Sequence, residues 1–291
     1  MKKNLKKYIK PFFKKTGVYE LAYSLFFSLR YSITVIINIF YKIFYKTAPI
    51  LLYHRIATVS KDPVMLCVPP ECFENHLQFI KKNYDVVSLS ELSKRIVNDK
   101  LKGNEIAITF DDGYQDNLIN ALPLLEKYNI PATIFVTTEL LGKKASFEWD
   151  VEYKEEDRAT FLNEEEVKIL SSNPLVEIGA HTNLHSRLSN LTEEEQRSDV
   201  LKSREILERV TGKKIKLFAY PFGGVYDFDN TTKKIVKELG FDFSYSNTQN
   251  LTRNTKDNFC IPRLNIRECT VVELSKKLLT FYPSFFKSVK G

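Results

Sequence analysis

The stretch Ile106-Ala107-Ile108-Thr109-Phe110-Asp111-Asp112-Gly113-Tyr114 decides the fold of this 291-residue chain. Its apolar, β-prone first half predicts a buried strand, which runs directly into two carboxylates and a glycine. Two adjacent carboxylates cannot both be buried unpaired, because a bare carboxylate in a low-dielectric interior is very costly. We therefore expect a cation beside Asp111 and Asp112. An exposed Asp-Gly turn after the strand is the alternative interpretation.

The rest of the chain from Pro49 onward alternates β-prone runs with segments of helical periodicity. The predicted strands are 49–53, 85–88, 105–110, 131–136, 175–180, 215–220, 241–246 and 259–264. The predicted helices are 71–83, 90–98, 114–128, 163–171, 193–210 and 230–239. This order indicates an α/β fold with a parallel sheet, either a barrel or a doubly wound sheet. About seven strands in this length favour a (β/α) barrel, whose site forms at the carboxyl ends of the strands.

Polar side chains follow several of these strands at the edge where such a site forms. His54 follows the first strand, the Asp pair follows strand 105–110, and His181 and His185 follow strand 175–180. Two histidines four residues apart, together with a carboxylate, form a ligand set that leaves positions open for water and substrate. The pattern therefore predicts a catalytic metal site. A pair of histidines satisfied by ordinary hydrogen bonds is the alternative.

These motifs resemble those of the polysaccharide deacetylases, the carbohydrate esterase family 4 domain that includes nodulation-type chitooligosaccharide deacetylases. The resemblance covers about three quarters of the chain, from Pro49 to Glu273. The first motif is 109–113 (TFDDG), the second is 181–185 (HTNLH) and the third is 218–223 (FAYPFG). The opening 51–55 (LLYHR) looks like the bacterial exopolysaccharide-deacetylase branch.

The resemblance implies a distorted (β/α) barrel, a divalent metal that is most often zinc, and hydrolysis of an N-acetyl or O-acetyl group on a sugar. Asp112, His181 and His185 would be the metal ligands and Asp111 the general base. The metal would lower the pKa of a bound water and polarise the acetyl carbonyl. A backbone N–H within Tyr220, Pro221 and Phe222 would complete the oxyanion site.

Two positions depart from the family pattern. Ala219 stands where many members carry an arginine that orients the base, and no histidine lies near 260–266, where a general acid is expected. We expect Arg263 to orient Asp111 and His54 to protonate the leaving amine. The alternatives are a salt bridge on the barrel rim for Arg263 and a buried, hydrogen-bonded imidazole for His54.

A polar, acidic insertion at 142–162 contains the only tryptophan, Trp149. A loop of this length at the catalytic edge is often a lid or substrate wall, and Trp149 could stack on a sugar ring. A tryptophan that plugs the domain surface is the alternative.

The N-terminus carries much of the net charge of +7, because seven lysines lie among the first fifteen residues. Residues 17–46 are mostly apolar, with a narrow stripe of polar residues that includes Arg30, where a charge would disfavour a clean membrane span. We predict a membrane-associating region 1–47 before a catalytic barrel 48–291. An in-plane amphipathic anchor, a signal-anchor and a helix packed on the domain remain open, whereas a cleaved signal peptide is not expected.

The expected protein is a metal-dependent sugar N-deacetylase at the bacterial inner membrane, on a side that the sequence leaves open. Its partners would be an acetylated surface polysaccharide or glycolipid precursor and the membrane surface contacted by residues 1–46, but no nucleic acid. A carbohydrate-binding relative with little activity is one alternative, and a same-fold hydrolase of peptidoglycan sugars, O-acetyl esters or cyclic amides is another. The four cysteines (Cys67, Cys72, Cys260 and Cys269) show no zinc-finger spacing, and their pairing stays open.

Overall fold

The computed structural model describes residues 46–144, 147–250, 252 and 255–280. The chain divides into two units, residues 1–44 and 45–291, and the described residues all belong to the second. The predicted membrane-associating helix lies outside the described residues, so the predicted domain boundary stays a prediction. No helix in the described part of the chain is long and apolar enough to cross a bilayer.

Strands and helices alternate along this unit. The strands are β1 (Ile50–Tyr53), β2 (Arg55–Ile56), β3 (Cys67–Val68), β4 (Asp85–Val86), β5 (Glu105–Phe110), β6 (Ala132–Val136), β7 (Val176–Ala180), β8 (Leu217–Ala219), β9 (Phe243–Ser246), β10 (Ile261–Pro262) and β11 (Leu264–Asn265). The helices are α1 (Pro70–Asn83), α2 (Leu89–Val97), α3 (Leu122–Tyr128), α4 (Glu164–Ser172), α5 (Glu193–Thr211), α6 (Asn230–Glu238) and α7 (Val271–Thr280). Short 3₁₀ turns lie between several of them.

The main sheet is a nearly closed barrel. Its strand order is β10-β9-β8-β7-β6-β5-β1-β11, with β4 added beside β5, and the pairs are parallel. β10 and β11 stand at opposite ends of this order, yet only Arg263 separates them in the chain. One extended segment therefore pairs with β9 and then with β1, and so joins the two edges of the sheet. The predicted distorted (β/α) barrel is confirmed, and the doubly wound alternative does not apply.

Side chains of β5 alternate between the barrel interior and the surrounding helices. Ile106, Ile108 and Phe110 belong to the cluster that packs against the helices, whereas Ala107 belongs to the inner cluster. Because successive side chains of a strand point to opposite faces, Asp111 continues the inward-facing set. Residues of α2, among them Leu89, pack on the same inner cluster.

The structure differs from the predicted elements in three places. The β2–β3 pair was not predicted, since two-residue strands carry no readable period. Helix α7 was also missed, although its start is marked by Thr270 and Glu273, which exchange capping hydrogen bonds. The predicted helix 114–128 begins instead as a π-helical turn at Asn117–Ala121 before α3.

Candidate active site

Left-handed backbone marks the carboxyl edge of the barrel. Asp112 (φ 73°), Thr182 (φ 62°), His185 (φ 58°) and Phe222 (φ 59°) are all non-glycine residues in this region, in the loops that follow β5, β7 and β8. Each such residue costs on the order of 1 kcal/mol and persists only where surrounding contacts hold it. Their concentration at one edge points to a functional constraint on these loops.

Asp112, His181 and His185 form a cluster that suits a metal ion. Oδ1 of Asp112 lies 3.2 Å from Nε2 of His185 and 3.5 Å from Nε2 of His181. Two ligands of a tetrahedral zinc ion, each roughly 2.0–2.2 Å from the metal, are themselves separated by about 3.3 Å. The separations therefore fit a common ion, and among the described residues this is the one such group of three or more His, Cys, Asp or Glu side chains.

Neighbouring groups fix the orientation of these ligands. Nδ1–H of His181 donates to the carbonyl oxygen of Ala219 at 2.8 Å, which leaves the lone pair of Nε2 for a metal. The backbone N–H of His185 donates to Oγ1 of Thr182 at 2.9 Å. Oδ1 of Asp199, on α5, accepts the N–H groups of residues 183 and 184. No local sequence signal singles out Asp199, because it reaches the loop from a distant helix.

Asp111 faces Arg263 inside the barrel. The two guanidinium nitrogens of Arg263 donate to the two carboxylate oxygens of Asp111, each at 2.7 Å, and one of them also donates to Oγ1 of Thr109. Both side chains are buried. Burial raises the pKa of Asp111, but the charge and hydrogen bonds of Arg263, together with the nearby His181 and His54, outweigh it and hold that pKa below the ordinary value. Asp111 is therefore ionised near neutral pH, as a general base must be.

His54 lies in the same cleft as Asp111 and Asp112. Within the described part of the chain its imidazole makes no hydrogen bond, whereas its carbonyl oxygen accepts from Nδ2 of Asn117 at 2.8 Å. Burial lowers the pKa of His54, against the opposing attraction of the two carboxylates. These contacts do not match the alternative interpretation, in which His54 is a buried imidazole held by hydrogen bonds.

The segment Tyr220–Phe222 offers a single candidate oxyanion donor. The N–H of Tyr220 donates to the carbonyl oxygen of Tyr245 at 3.1 Å, and Pro221 has no N–H. The Tyr220 side chain turns away from the cleft, since its hydroxyl contacts Ser244 and its ring stacks on Phe228. Phe222 lines the cleft, and its N–H is the donor that remains.

Trp149 forms part of the cleft wall. Its ring stacks on Phe147 with centroids 4.3 Å apart, and Phe147 in turn lies 4.7 Å from the ring of His185. The acidic insertion thus reaches the metal-ligand cluster. This position supports the substrate-wall interpretation, and a tryptophan that only plugs the domain surface stays the alternative.

Two asparagines of the cleft, Asn247 and Asn265, were missed in the sequence. Asn247 follows β9 and Asn265 ends β11, so the strand-end rule could have found both. Val64 and Leu66 also line the cleft from the loop between β2 and β3. All four described cysteines are free thiols.

Comparisons with known proteins agree with this geometry. Residues 98–244 match the family described as polysaccharide deacetylase. The chain is 27% identical over 220 residues to YxkH of Bacillus subtilis (strain 168), which covers 75% of this chain and 71% of that protein. It is 26% identical over 227 residues to poly-beta-1,6-N-acetyl-D-glucosamine N-deacetylase of Staphylococcus aureus (strain MSSA476), with coverage of 75% and 74%. The Streptococcus pyogenes deacetylase PplD, solved with acetate, shares the fold at a TM-score of 0.67, with 22% identity over 82% of this chain and 100% of that one.

The barrel and its cleft thus define a carbohydrate deacetylase. The chain belongs to the polysaccharide deacetylase family. The family resemblance and the enzyme class predicted from the sequence are confirmed. Divalent-metal dependence is general in this family, and the cluster of Asp112, His181 and His185 is a possible site for the ion.

Proposed function

We propose that the protein is a zinc-dependent N-deacetylase of a cell-surface polysaccharide or of a lipid-linked precursor. The observation that carries the proposal is the pairing of two adjacent carboxylates with different partners. Asp112 contacts the two histidines, and Asp111 is bound by Arg263. The named activity of the Staphylococcus aureus relative supports a polymer of N-acetylglucosamine as the substrate.

The donor set fits zinc, because two imidazole nitrogens and one carboxylate oxygen are ordinary ligands of a catalytic zinc site. Zinc bound there would polarise the acetyl carbonyl and make water a stronger acid. Asp112, His181 and His185 would hold the ion on one side only, which leaves the side facing the cleft open.

The other residues supply the proton transfers and the stabilisation of charge. Asp111 accepts a proton from the water that attacks the acetyl carbon. The Phe222 N–H stabilises the negative charge that develops on the carbonyl oxygen. His54 then gives a proton to the sugar nitrogen as the carbon–nitrogen bond breaks, which yields acetate and a free amine.

We further propose that residues 1–46 hold the enzyme at the bacterial inner membrane. The run of lysines and the following apolar segment support this location. A basic residue near an anionic bilayer contributes about 1 kcal/mol to binding, and the apolar segment adds burial in the interface.

The proposed function is tested by measuring acetate release from a panel of substrates with the zinc-loaded protein. The panel contains N-acetylglucosamine oligomers, lipid-linked N-acetylated sugars, peptidoglycan fragments and O-acetylated sugars, with Asp111→Asn as the inactive control. We expect release from the N-acetylglucosamine oligomers or the lipid-linked N-acetylated sugars, and none from the peptidoglycan fragments or the O-acetylated sugars. No release from any substrate by metal-loaded protein would favour a carbohydrate-binding relative instead.

A further inference from the structure

The helices of the barrel carry a consistent charge polarity. Acidic residues occupy the first turns of five helices, with three glutamates each at the starts of α4 and α5. Basic residues occupy the last turns of six helices, and the helix-end lysines include Lys81, Lys82 and Lys237. Because the helices outside a barrel run antiparallel to the strands, the acidic starts of α1, α4, α5 and α7 lie at the catalytic edge and the basic ends of α1, α5 and α7 lie at the opposite edge. Helix α2 is the exception, since its start contacts Glu177 near the beginning of β7 and the helix lies at the amino end of the barrel.

Helix dipoles alone would favour this arrangement, but further lysines extend it. The loop before β5 carries Lys100 and Lys102, and the loop before β8 carries Lys213, Lys214 and Lys216. With Lys94 of α2 these residues define what we call the amino-end face. All six side chains are exposed. By contrast, the 142–162 insertion at the catalytic edge is rich in acidic residues.

Part of this positive charge is not neutralised locally. Lys214 lies 3.0 Å from Glu208 and Lys216 lies 3.3 Å from Asp242, so these two are paired. Lys94, Lys100 and Lys102 form no ion pair with any residue that the structure describes. Lys94 and the three lysines before β8 line one shared cleft, where the four ammonium groups outnumber the two carboxylates, Glu177 and Asp242. Such a face attracts a polyanionic surface.

The chain enters the barrel on this same side. The described part begins at Lys46, and Ala48 donates its N–H to Thr252 just before β1. His54, at the catalytic edge, is six residues further along an extended strand, about 20 Å away. The described part of the chain therefore begins next to the amino-end face and far from the cleft.

We propose that the amino-end face docks on an anionic phospholipid bilayer, so that the catalytic cleft points away from the membrane. This inference rests on the membrane association in the proposed function. The orientation presents the cleft to a polymer that extends away from the bilayer.

The docking of the amino-end face is tested by measuring how tightly the full chain binds vesicles. Two variants are compared, each of which removes three lysine charges. The triple variant Lys100→Gln, Lys102→Gln, Lys214→Gln removes three charges from the amino-end face. The control Lys61→Gln, Lys143→Gln, Lys154→Gln removes three from the catalytic edge, and each set includes one ion-paired lysine. One basic residue near the surface is worth about fivefold in binding, so we expect the first variant to lose at least about tenfold on phosphatidylglycerol vesicles. The vesicle affinity of the control should stay within about twofold of the parent value. Equal losses of affinity in both variants would overturn the proposal.

The single tryptophan reports the orientation directly, because Trp149 lies at the catalytic edge. Vesicles with a nitroxide quencher on the lipid headgroup should leave its fluorescence unchanged. A Lys100→Trp reporter in a Trp149→Phe background should be quenched. Quenching of Trp149 as strong as that of the reporter would refute the orientation. Acetate release from a soluble oligomer, measured on the parent protein with the same vesicles, shows separately whether the proposed activity stands.

Discussion

Arg263 and Asp111 form a bidentate ion pair inside the barrel, with both N···O distances at 2.7 Å, although 152 positions separate them in the chain. The pair exists because the sheet closes through the segment that contains Arg263, between β10 and β11. That closure carries a guanidinium to the inward-facing carboxylate at the end of β5. The structure thus supports the proposal that Arg263 orients the base. It would do so in place of the arginine that many family members carry at the position of Ala219.

Replacement of Arg263 by lysine should shift the pH dependence of the reaction. Arg263 holds the pKa of Asp111 down, and only ionised Asp111 can accept a proton. A weaker partner lets that pKa rise, so the acidic limb of the kcat/KM profile should move to higher pH. Because a lysine cannot hold both carboxylate oxygens of Asp111 at once, we also expect kcat/KM to fall by about tenfold or more at neutral pH. Lysine is preferred to alanine, since an unpaired buried carboxylate costs roughly 3–5 kcal/mol.

The matched control for this change is Arg55→Lys. Arg55 is also buried and pairs with Asp116 at 3.0 Å. Its replacement should lower thermal stability without moving the acidic limb. A pH profile of Arg263→Lys that superposes on the parent profile would contradict the orienting role.

Measurements of metal content and turnover should distinguish the roles of the two adjacent carboxylates, Asp111 and Asp112. Asp112→Ala and His181→Ala remove proposed ligands, so both should lose bound zinc and activity together. Asp111→Asn should keep the metal and lose turnover by at least about a hundredfold. Zinc measured by mass spectrometry after gel filtration, alongside acetate release, checks both outcomes. An active Asp111→Asn protein would show that another group is the base.

The sequence was informative about the barrel and the strand-end residues for a physical reason. Strand–helix alternation and the polar residues after β1, β5 and β7 are local patterns, and parallel strands bring their carboxyl ends together. The contact of Arg263 with Asp111 depends instead on how the sheet closes, which no local pattern encodes. Asp199 is equally silent in the sequence, because it acts through hydrogen bonds from a distant helix to the loop after β7.

Loss of the His54 imidazole should slow turnover without loss of metal. If His54 protonates the leaving amine, His54→Ala should lower kcat by between about a hundredfold and ten-thousandfold. The variant should also lose the alkaline limb of the kcat profile, since that limb reports deprotonation of the acid. Added imidazole that restores part of the rate would identify a missing proton donor. An unchanged pH profile would remove His54 from this role.

Trp149 should affect substrate binding more than stability. Its ring lines the cleft and rests on Phe147, so Trp149→Ala removes a stacking surface for a sugar. A stacked pair is worth about 0.5–1.5 kcal/mol, which corresponds to a rise in KM of about two- to tenfold. Trp149→Phe keeps a smaller ring, so its KM should lie between those of the parent protein and Trp149→Ala. A large drop in melting temperature with unchanged KM would favour a purely structural tryptophan.

The position of the Phe222 N–H can be tested through its neighbour Gly223, whose backbone is left-handed at φ 66°. A Cβ at this glycine would lie 2.7 Å from the backbone nitrogen of Asn247 and 3.1 Å from the carbonyl oxygen of Tyr220. Both contacts involve main chain, so Gly223→Ala must displace the loop that carries the proposed oxyanion donor. We expect kcat to fall by about a hundredfold with zinc retained, the usual effect of losing one such donor.

Gly212 supplies the matched control, because it has nearly the same backbone angle, φ 67°, and no atom within 4 Å of a built Cβ. Gly212→Ala carries the same cost of a left-handed alanine, about 1 kcal/mol, without any displacement of the cleft. It should therefore lower the free energy of unfolding and leave kcat unchanged. If Gly223→Ala behaved in the same way, with stability reduced but turnover intact, the Phe222 N–H would not be the group that stabilises the oxyanion.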